Sequence, residues 1–447
     1  MTVSLLKKHC PERCTGALGR LLLLGLILAP FASHARDPFD LGYSARFTSR
    51  AALHLNSPID QAMHRHTVDL EQTIKGDRWS AVLGLRAYAE STFAFNARYS
   101  GQPVATAESQ EFVMRDNYLQ YKGAGYQVRL GWQQVVWGES YGFFFADIVN
   151  PKDTREFGLG GDLTAQRITV PMANVVWFNG DSSLQFLYIP KPYFNLSPAI
   201  GSDFAPPVGD LFGTTPVTLR DDRTKSWSLS NGEFGMRGMT LLAGWDVSAF
   251  YFNYFDRRPS YRPSLVGGNI VATAAHDPIQ TFGVTATKDL GPWVLRFEST
   301  YTPQRPVDAY EYNNIAPELS YYTGKSDEFI AVTGFDYTQW KDWRFSLQLS
   351  LNSLFTYVPG MFLRQNAINL SVITGGTMWG NHEFNAILNY AADGSSLWQF
   401  SYMVPVSSRL EASIGTHIFA GGVGSQFGRF KDASRAFVQL RGFFSGG

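Results

Sequence analysis

The sequence predicts an all-β fold: a single antiparallel transmembrane β-barrel of about 18 strands, with short periplasmic turns and long outer loops. Three observations carry this. Apolar and polar residues alternate with period two in runs of about 9 to 12 residues, the length of a tilted strand crossing a bilayer. Short turn-forming stretches take turns with long polar connections along the chain. Tryptophans gather beside the short turns.

The first 35 residues read as a cleaved signal peptide. Lys7, Lys8, Arg13 and Arg20 form its basic region, Leu21–Leu28 its apolar core, and Ser33-His34-Ala35 its cleavage site. The apolar run is too short to cross a bilayer as a helix. Cys10 and Cys14, the only cysteines, precede that core, so a mature chain starting near Arg36 has no thiol for disulfides or metal. The full sequence balances 38 basic against 38 acidic residues, and cleavage leaves a slight acidic excess. That excludes a nucleic-acid footprint. No linker or composition shift divides the remainder, so 36–447 reads as one barrel.

The alternation begins at Tyr43, with Tyr43, Ala45, Phe47, Ala51 and Leu53 on one face and Arg46, Thr48, Arg50 and His54 on the other. It returns at Trp79–Glu90, Trp293–Tyr301, Trp343–Asn352 and Arg435–Phe444. A soluble sandwich uses shorter strands, typically near six residues. Eight short turns fall near 75–77, 122–125, 179–181, 243–245, 288–291, 339–341, 379–381 and 407–409, several with the Gly, Asn and Asp of tight hairpins. Between them lie outer connections at 56–66, 91–110, 133–165, 190–230, 256–277, 303–327, 355–366, 391–395 and 420–433. Eight turns and nine outer loops make 18 strands; 16 is the alternative if one hairpin is misplaced. Trp79, Trp245, Trp293, Trp340, Trp343 and Trp379 stand at the short-turn end, as an interfacial girdle requires. The aromatic-rich last strand, ending Phe443-Phe444, fits recognition by the outer-membrane assembly machinery, although Ser445-Gly446-Gly447 follow it.

The inward face carries both signs of charge. Arg86, Arg129, Arg296, Glu298 and Arg344 are its wall candidates, beside Arg46, Asp69 and others. Interleaved charges pair across strands and give weak ionic selectivity. Membrane lipid and lipopolysaccharide are the partners of the outer face.

One connection is unlike the rest. Residues 133–165 hold three consecutive phenylalanines, which would be an aggregation hazard in water. The segment is expected to fold into the barrel, with Trp137, Glu139, Phe144, Asp147, Asn150, Asp153 and Arg155 forming a constriction or substrate-binding lid. A second lid candidate is 193–226. Gly138-Glu139-Ser140-Tyr141-Gly142 matches the G-x-S-x-G elbow literally, but that elbow needs a helix after it, and aromatic-rich sequence follows. No enzyme is predicted. His64-Arg65-His66, in a predicted outer loop, lacks carboxylate or thiolate neighbours, so neither metal nor cofactor is expected.

The block Gly131-x-Gln133-x-Val135-Val136-Trp137-Gly138-Glu139, followed by Asp147-Ile148-Val149-Asn150-Pro151-x-Asp153, resembles a family of poorly characterised, porin-like Gram-negative outer-membrane barrels of unknown function. Trp132 stands where that family more often has Arg. Members are often encoded beside RND/MMPL-type transporters. The resemblance therefore implies an inner-membrane transporter of that type as partner, and movement of hydrophobic or lipid-like compounds. The functional expectation is an outer-membrane channel gated by 133–155. The alternatives are an adhesion or scaffold barrel acting through 193–226 and 256–277, and an envelope esterase using Ser140.

Overall fold

The computed structural model describes residues 39–138, 145–159, 163–205, 217–221, 225–266, 269–310 and 321–446. The predicted leader lies outside them. The strands are β1 (Asp40–His54), β2 (Gln61–Lys75), β3 (Trp79–Glu90), β4 (Gln110–Gly123), β5 (Tyr126–Gln133), β6 (Val170–Asn179), β7 (Ser182–Ile189), β8 (Val217–Asp221), β9 (Glu233–Leu242), β10 (Trp245–Phe255), β11 (Ser260–Val266), β12 (Asn269–Ala275), β13 (Pro278–Asp289), β14 (Trp293–Tyr310), β15 (Tyr321–Tyr337), β16 (Trp343–Leu354), β17 (Asn366–Met378), β18 (His382–Ala391), β19 (Ser396–Ser407), β20 (Leu410–Ala420) and β21 (Arg435–Gly446).

Eighteen of these form one antiparallel sheet in which each strand pairs with the next, skipping β8, β11 and β12. The last strand pairs with the first, from Tyr43↔Gly446 to His54↔Arg435, and closes the barrel. Closure removes the edges that lipid could not satisfy. The eight short turns sit where the sequence puts them. Two have positive φ at two successive residues, Ala243-Gly244 (52° and 76°) and Trp379-Gly380 (49° and 92°). The first is the mirror-image turn of a two-residue hairpin between Leu242 and Trp245, and the second begins the three-residue connection 379–381 between Met378 and His382.

The alternation resolves into two solvents. On β16, Ser346, Gln348 and Ser350 are buried toward the lumen while Leu349 is half-exposed on the outside. Leu83, Leu130, Val438 and Leu440 stand out likewise on other strands. Trp79, Trp293, Trp340 and Trp379 are exposed at the short-turn rim, where Trp79 packs on Tyr121 and Trp293 on Tyr337. A closed barrel with an apolar belt and an aromatic rim is built for the bacterial outer membrane.

Several boundaries differ from expectation. His64 and His66 lie inside β2, not in a loop. Their rings meet edge-on at 4.7 Å, and His66 stacks with outward Phe47. Alternating histidines carry no apolar signal, so the strand start was invisible. The segment 303–327 is largely β14 and β15, which rise above the belt as a charged ribbon. There Arg305 clasps Asp256 with two bonds of 2.7 Å and also pairs with Glu328. The segment 256–277 holds the β11–β12 hairpin, against which β8 lies parallel. These outer strands alternate against water rather than lipid, which hides their period.

Candidate lumen constriction

The hydrophobic core lies inside the barrel, where two connections meet the wall. β5 ends at Gln133 and the chain turns inward. A polar relay starts this turn. The Trp137 indole Nε1 donates to Gln185 Oε1 at 2.9 Å, Gln185 Nε2 to Asn174 Oδ1 at 3.0 Å, and Asn174 Nδ2 to Gln133 Oε1 at 3.2 Å. Trp137 is fully buried, with its ring centroid 5.0 Å from Phe250 and 5.7 Å from Phe252. Gly235 on β9 makes room for it: a Cβ there would stand 2.7 Å from Trp137 Cη2. Val135, Trp137, Ala146 and Val149 pack with Val170 and Met172 of β6, Leu187 and Ile189 of β7, Phe250, Phe252 and Tyr254 of β10, and Ile279 of β13.

Asn150 and Asp147 hold the bend. Asn150 is almost fully buried, donates to Gln133 O and Ile168 O, and accepts from Val135 N at 2.8 Å. Asp147 pairs with Arg167 at 2.6 Å and Lys152 at 3.0 Å. Burial pushes the Lys152 ammonium down to about 8, against the pull of Asp147. On β14, Glu298 reaches from the wall and accepts from Ala146 N at 3.2 Å.

The segment continues to the opposite arc. Arg155 is clasped by Asp153 (2.9 and 2.6 Å) and donates to Tyr88 of β3 at 3.1 Å and Glu111 of β4 at 2.5 Å. Glu156 accepts from Arg65 of β2 at 3.0 Å and Arg435 of β21 at 2.7 Å. Burial alone would raise the Glu156 carboxyl, but Arg435 and then Arg65 outweigh it and hold it at about 2. Phe157 then enters an aromatic cluster with Phe204, Phe419 and Phe430.

The second lid candidate runs beside the first. Lys152 N donates to Asn195 Oδ1 at 2.8 Å, and Thr154 N to Leu196 O at 2.9 Å. Asp203 receives both Tyr99 Oη (3.0 Å) and His54 Nε2 (2.9 Å). One arginine ties the two segments to the wall. Arg257 is paired with buried Glu233 at 2.8 and 2.7 Å, and donates to Val149 O and Tyr193 O.

Of the seven candidates, Trp137, Asp147, Asn150, Asp153 and Arg155 belong to this crossing, where their side chains engage protein partners. Glu139, Phe144 and Ser140 lie outside the described residues. Among the wall candidates, Arg86 pairs with Asp69, which also binds Arg46 at 3.0 Å, and Arg296 pairs with Asp336 at 2.6 Å. Arg129 bonds Gln120 at 2.9 Å over the Tyr118 ring, while Arg344 is exposed near the short-turn rim. Glu298 joins the crossing segment by accepting from Ala146 N. Sequence reasoning places Glu233 and Arg435 on the inward face but not at this crossing, and it misses Arg65, Glu156, Gln185 and Arg257. Their only sequence signal was charge or amide character at inward positions or in loops.

This is a porin-like outer-membrane channel fold. Solved structures resemble it at low identity. Acinetobacter baumannii OccAB2 aligns with TM-score 0.53 and 11% identity over 92% of this chain and 98% of that one. Pseudomonas aeruginosa OccK8 (OprE) aligns with TM-score 0.49 and 12% identity over 91% and 98%. Salmonella typhi OmpF, solved in complex with daunomycin, aligns with TM-score 0.46 and 9% identity over 91% and 97%. No curated protein matches significantly in sequence. The family model described as a protein of unknown function (DUF1302) matches residues 59–395, well over half of the sequence, and the chain belongs to that family.

Proposed function

We propose that the protein is an outer-membrane channel for small hydrophobic or lipid-like compounds, gated by the inward connection after β5. The carrying observation is that residues 145–159 are tied to opposite arcs of the wall, by Ala146 to Glu298 and by Arg155 and Glu156 to β2, β3, β4 and β21. A chain so placed stands across the path of a solute. The paired charges along the wall favour no ion of either sign. The apolar clusters beneath Trp137 and around Phe157 offer an apolar solute surface once the segment shifts. An inner-membrane RND/MMPL-type transporter, as the resemblance implies, would present such compounds at the periplasmic rim.

The test is uptake of N-phenyl-1-naphthylamine, an apolar dye that fluoresces in lipid, by cells carrying the protein in a lipopolysaccharide outer membrane. Faster uptake than in cells with an empty vector is expected. Equal uptake contradicts the reading.

A further inference from the structure

The wall of the barrel is not uniformly laddered. β4 pairs with β3 along nearly its whole length, from Trp79↔Tyr121 to Ala89↔Gln110. Its other edge pairs with β5 only from Asn117↔Trp132 to Gly123↔Tyr126. Among the described residues no strand pairing continues this ladder over Gln110–Asp116. At roughly 3.3 Å per residue that seam is about 23 Å long, a substantial part of the hydrocarbon thickness once tilted. The β16–β17 seam, by contrast, is paired without interruption from Trp343↔Gly376 to Ser353↔Asn366.

Residues 163–169 stand in the place β5 has left. Their backbone turns toward the lumen. Gln166 O accepts from Asp153 N at 2.7 Å, and Ile168 N donates to Pro151 O at 2.9 Å. Toward β4 the joints involve side chains. Arg115 Nη1 donates to Arg167 O at 3.1 Å and Nη2 to Thr164 O at 2.7 Å. Thr169 Oγ1 donates to Met114 O at 2.7 Å, and Gln134 N to Asp116 Oδ1 at 3.0 Å. Phe112 and Met114 are exposed on the lipid side of this edge. On its lumen side stand Glu111 with Arg155, and Arg167 with Asp147 and Lys152.

We propose that the seam between Gln110–Asp116 and residues 163–169 is a lateral portal joining the lumen to the surrounding lipid, with Arg115 as its latch. The proposal rests on the channel reading above and adds the route. Parting a laddered seam would strand backbone donors and acceptors in lipid. Parting this one releases a few side-chain bonds, because 163–169 keeps its backbone bonds to the lumen segment. Residues 163–169 stay bonded to 151–153 as they leave β4, so the portal parts without release of the gate. An apolar or amphipathic solute then passes into lipid along Phe112 and Met114 without crossing water.

The seam can be locked. Cys10 and Cys14 are the chain's only cysteines and lie in the predicted leader, so an engineered pair reports alone. The test pair is Met114→Cys with Thr169→Cys. The control is Leu349→Cys with Leu370→Cys, opposite residues on β16 and β17. Oxidation of the test pair is expected to slow uptake of N-phenyl-1-naphthylamine on the order of tenfold, a barrier rise of about 1.4 kcal/mol. Reductant restores it, and the control pair and ion current in planar bilayers do not change. Arg115→Ala should speed dye uptake at unchanged ion current. Full cross-linking with undiminished uptake overturns the portal alone. Equal loss of dye uptake and ion current also overturns it and leaves the channel reading standing. Wild-type uptake no faster than with empty vector overturns both.

Discussion

Trp137→Ala is the most informative single perturbation of the crossing segment. The ring is fully buried and its Nε1 donor is bonded to Gln185. Truncating a buried Trp costs about 3–5 kcal/mol. None of that cost falls on the strand ladder, because Trp137 lies beyond the end of β5. It acts on the balance between docked and released segment. At about 1.4 kcal/mol per tenfold, that balance shifts by roughly a hundredfold to a few thousandfold. In single-channel recordings the variant should spend far more time in its open level, with the heat-modifiable gel shift of a folded barrel retained. Trp137→Phe keeps most of the ring burial and strands Gln185 Oε1, a loss of about 1–3 kcal/mol, and should fall between. Gly235→Ala approaches the same contact from the wall, where its Cβ would meet Trp137 and Phe252. Combined with Trp137→Ala it should add less than it costs alone, since only the Phe252 contact then remains. Wild-type open probability in Trp137→Ala, with the barrel intact, would show that docking of this ring does not hold the segment closed.

Acid should also open the channel. The Glu156 carboxyl is held at about 2 when docked, below the usual 4.5. Its contribution is therefore complete above pH 4.5 and is lost as pH falls toward 2. Glu156→Gln should open the channel at neutral pH and flatten that acid response in conductance titrations. Arg257→Ala removes the shared tether of Val149 and Tyr193 and leaves Glu233 buried without its partner. Such a loss costs about 3–5 kcal/mol, read as raised open probability together with faster proteolysis of 190–205. Asp69→Asn leaves Arg46 and Arg86 without their shared carboxylate. Reversal potentials in a salt gradient should move toward anion preference.

The barrel was legible because lipid imposes a strict alternation. Leu83, Leu349 and Val438 must face out, Gln348 and Arg435 must face in, and Trp379 marks a rim. Where lipid stops, so does the signal. β8, β11 and β12 went unseen, as did the extensions of β14 and β15, because water does not force a period. The crossing segment declared itself through its excess of aromatics, and Trp137, Asn150 and Arg155 all lie on it. Its anchors were not legible. Glu298 meets Ala146 across 152 positions of sequence, and Arg435 meets Glu156 across 279. A lumen-facing arginine looks the same in sequence whether it pairs within the wall, as Arg296 does with Asp336, or holds a loop, as Arg435 does. Only closure of the barrel decides which charges face each other.

The connection after β5 is proposed to close the lumen. Replacing residues 145–159 with a short Gly-Ser linker, and recording single-channel conductance in planar bilayers, tests it most directly. A steady open level on the order of tenfold above the wild-type mean current is expected, as befits an unobstructed 18-strand barrel. A folded, heat-modifiable variant with unchanged current would contradict it.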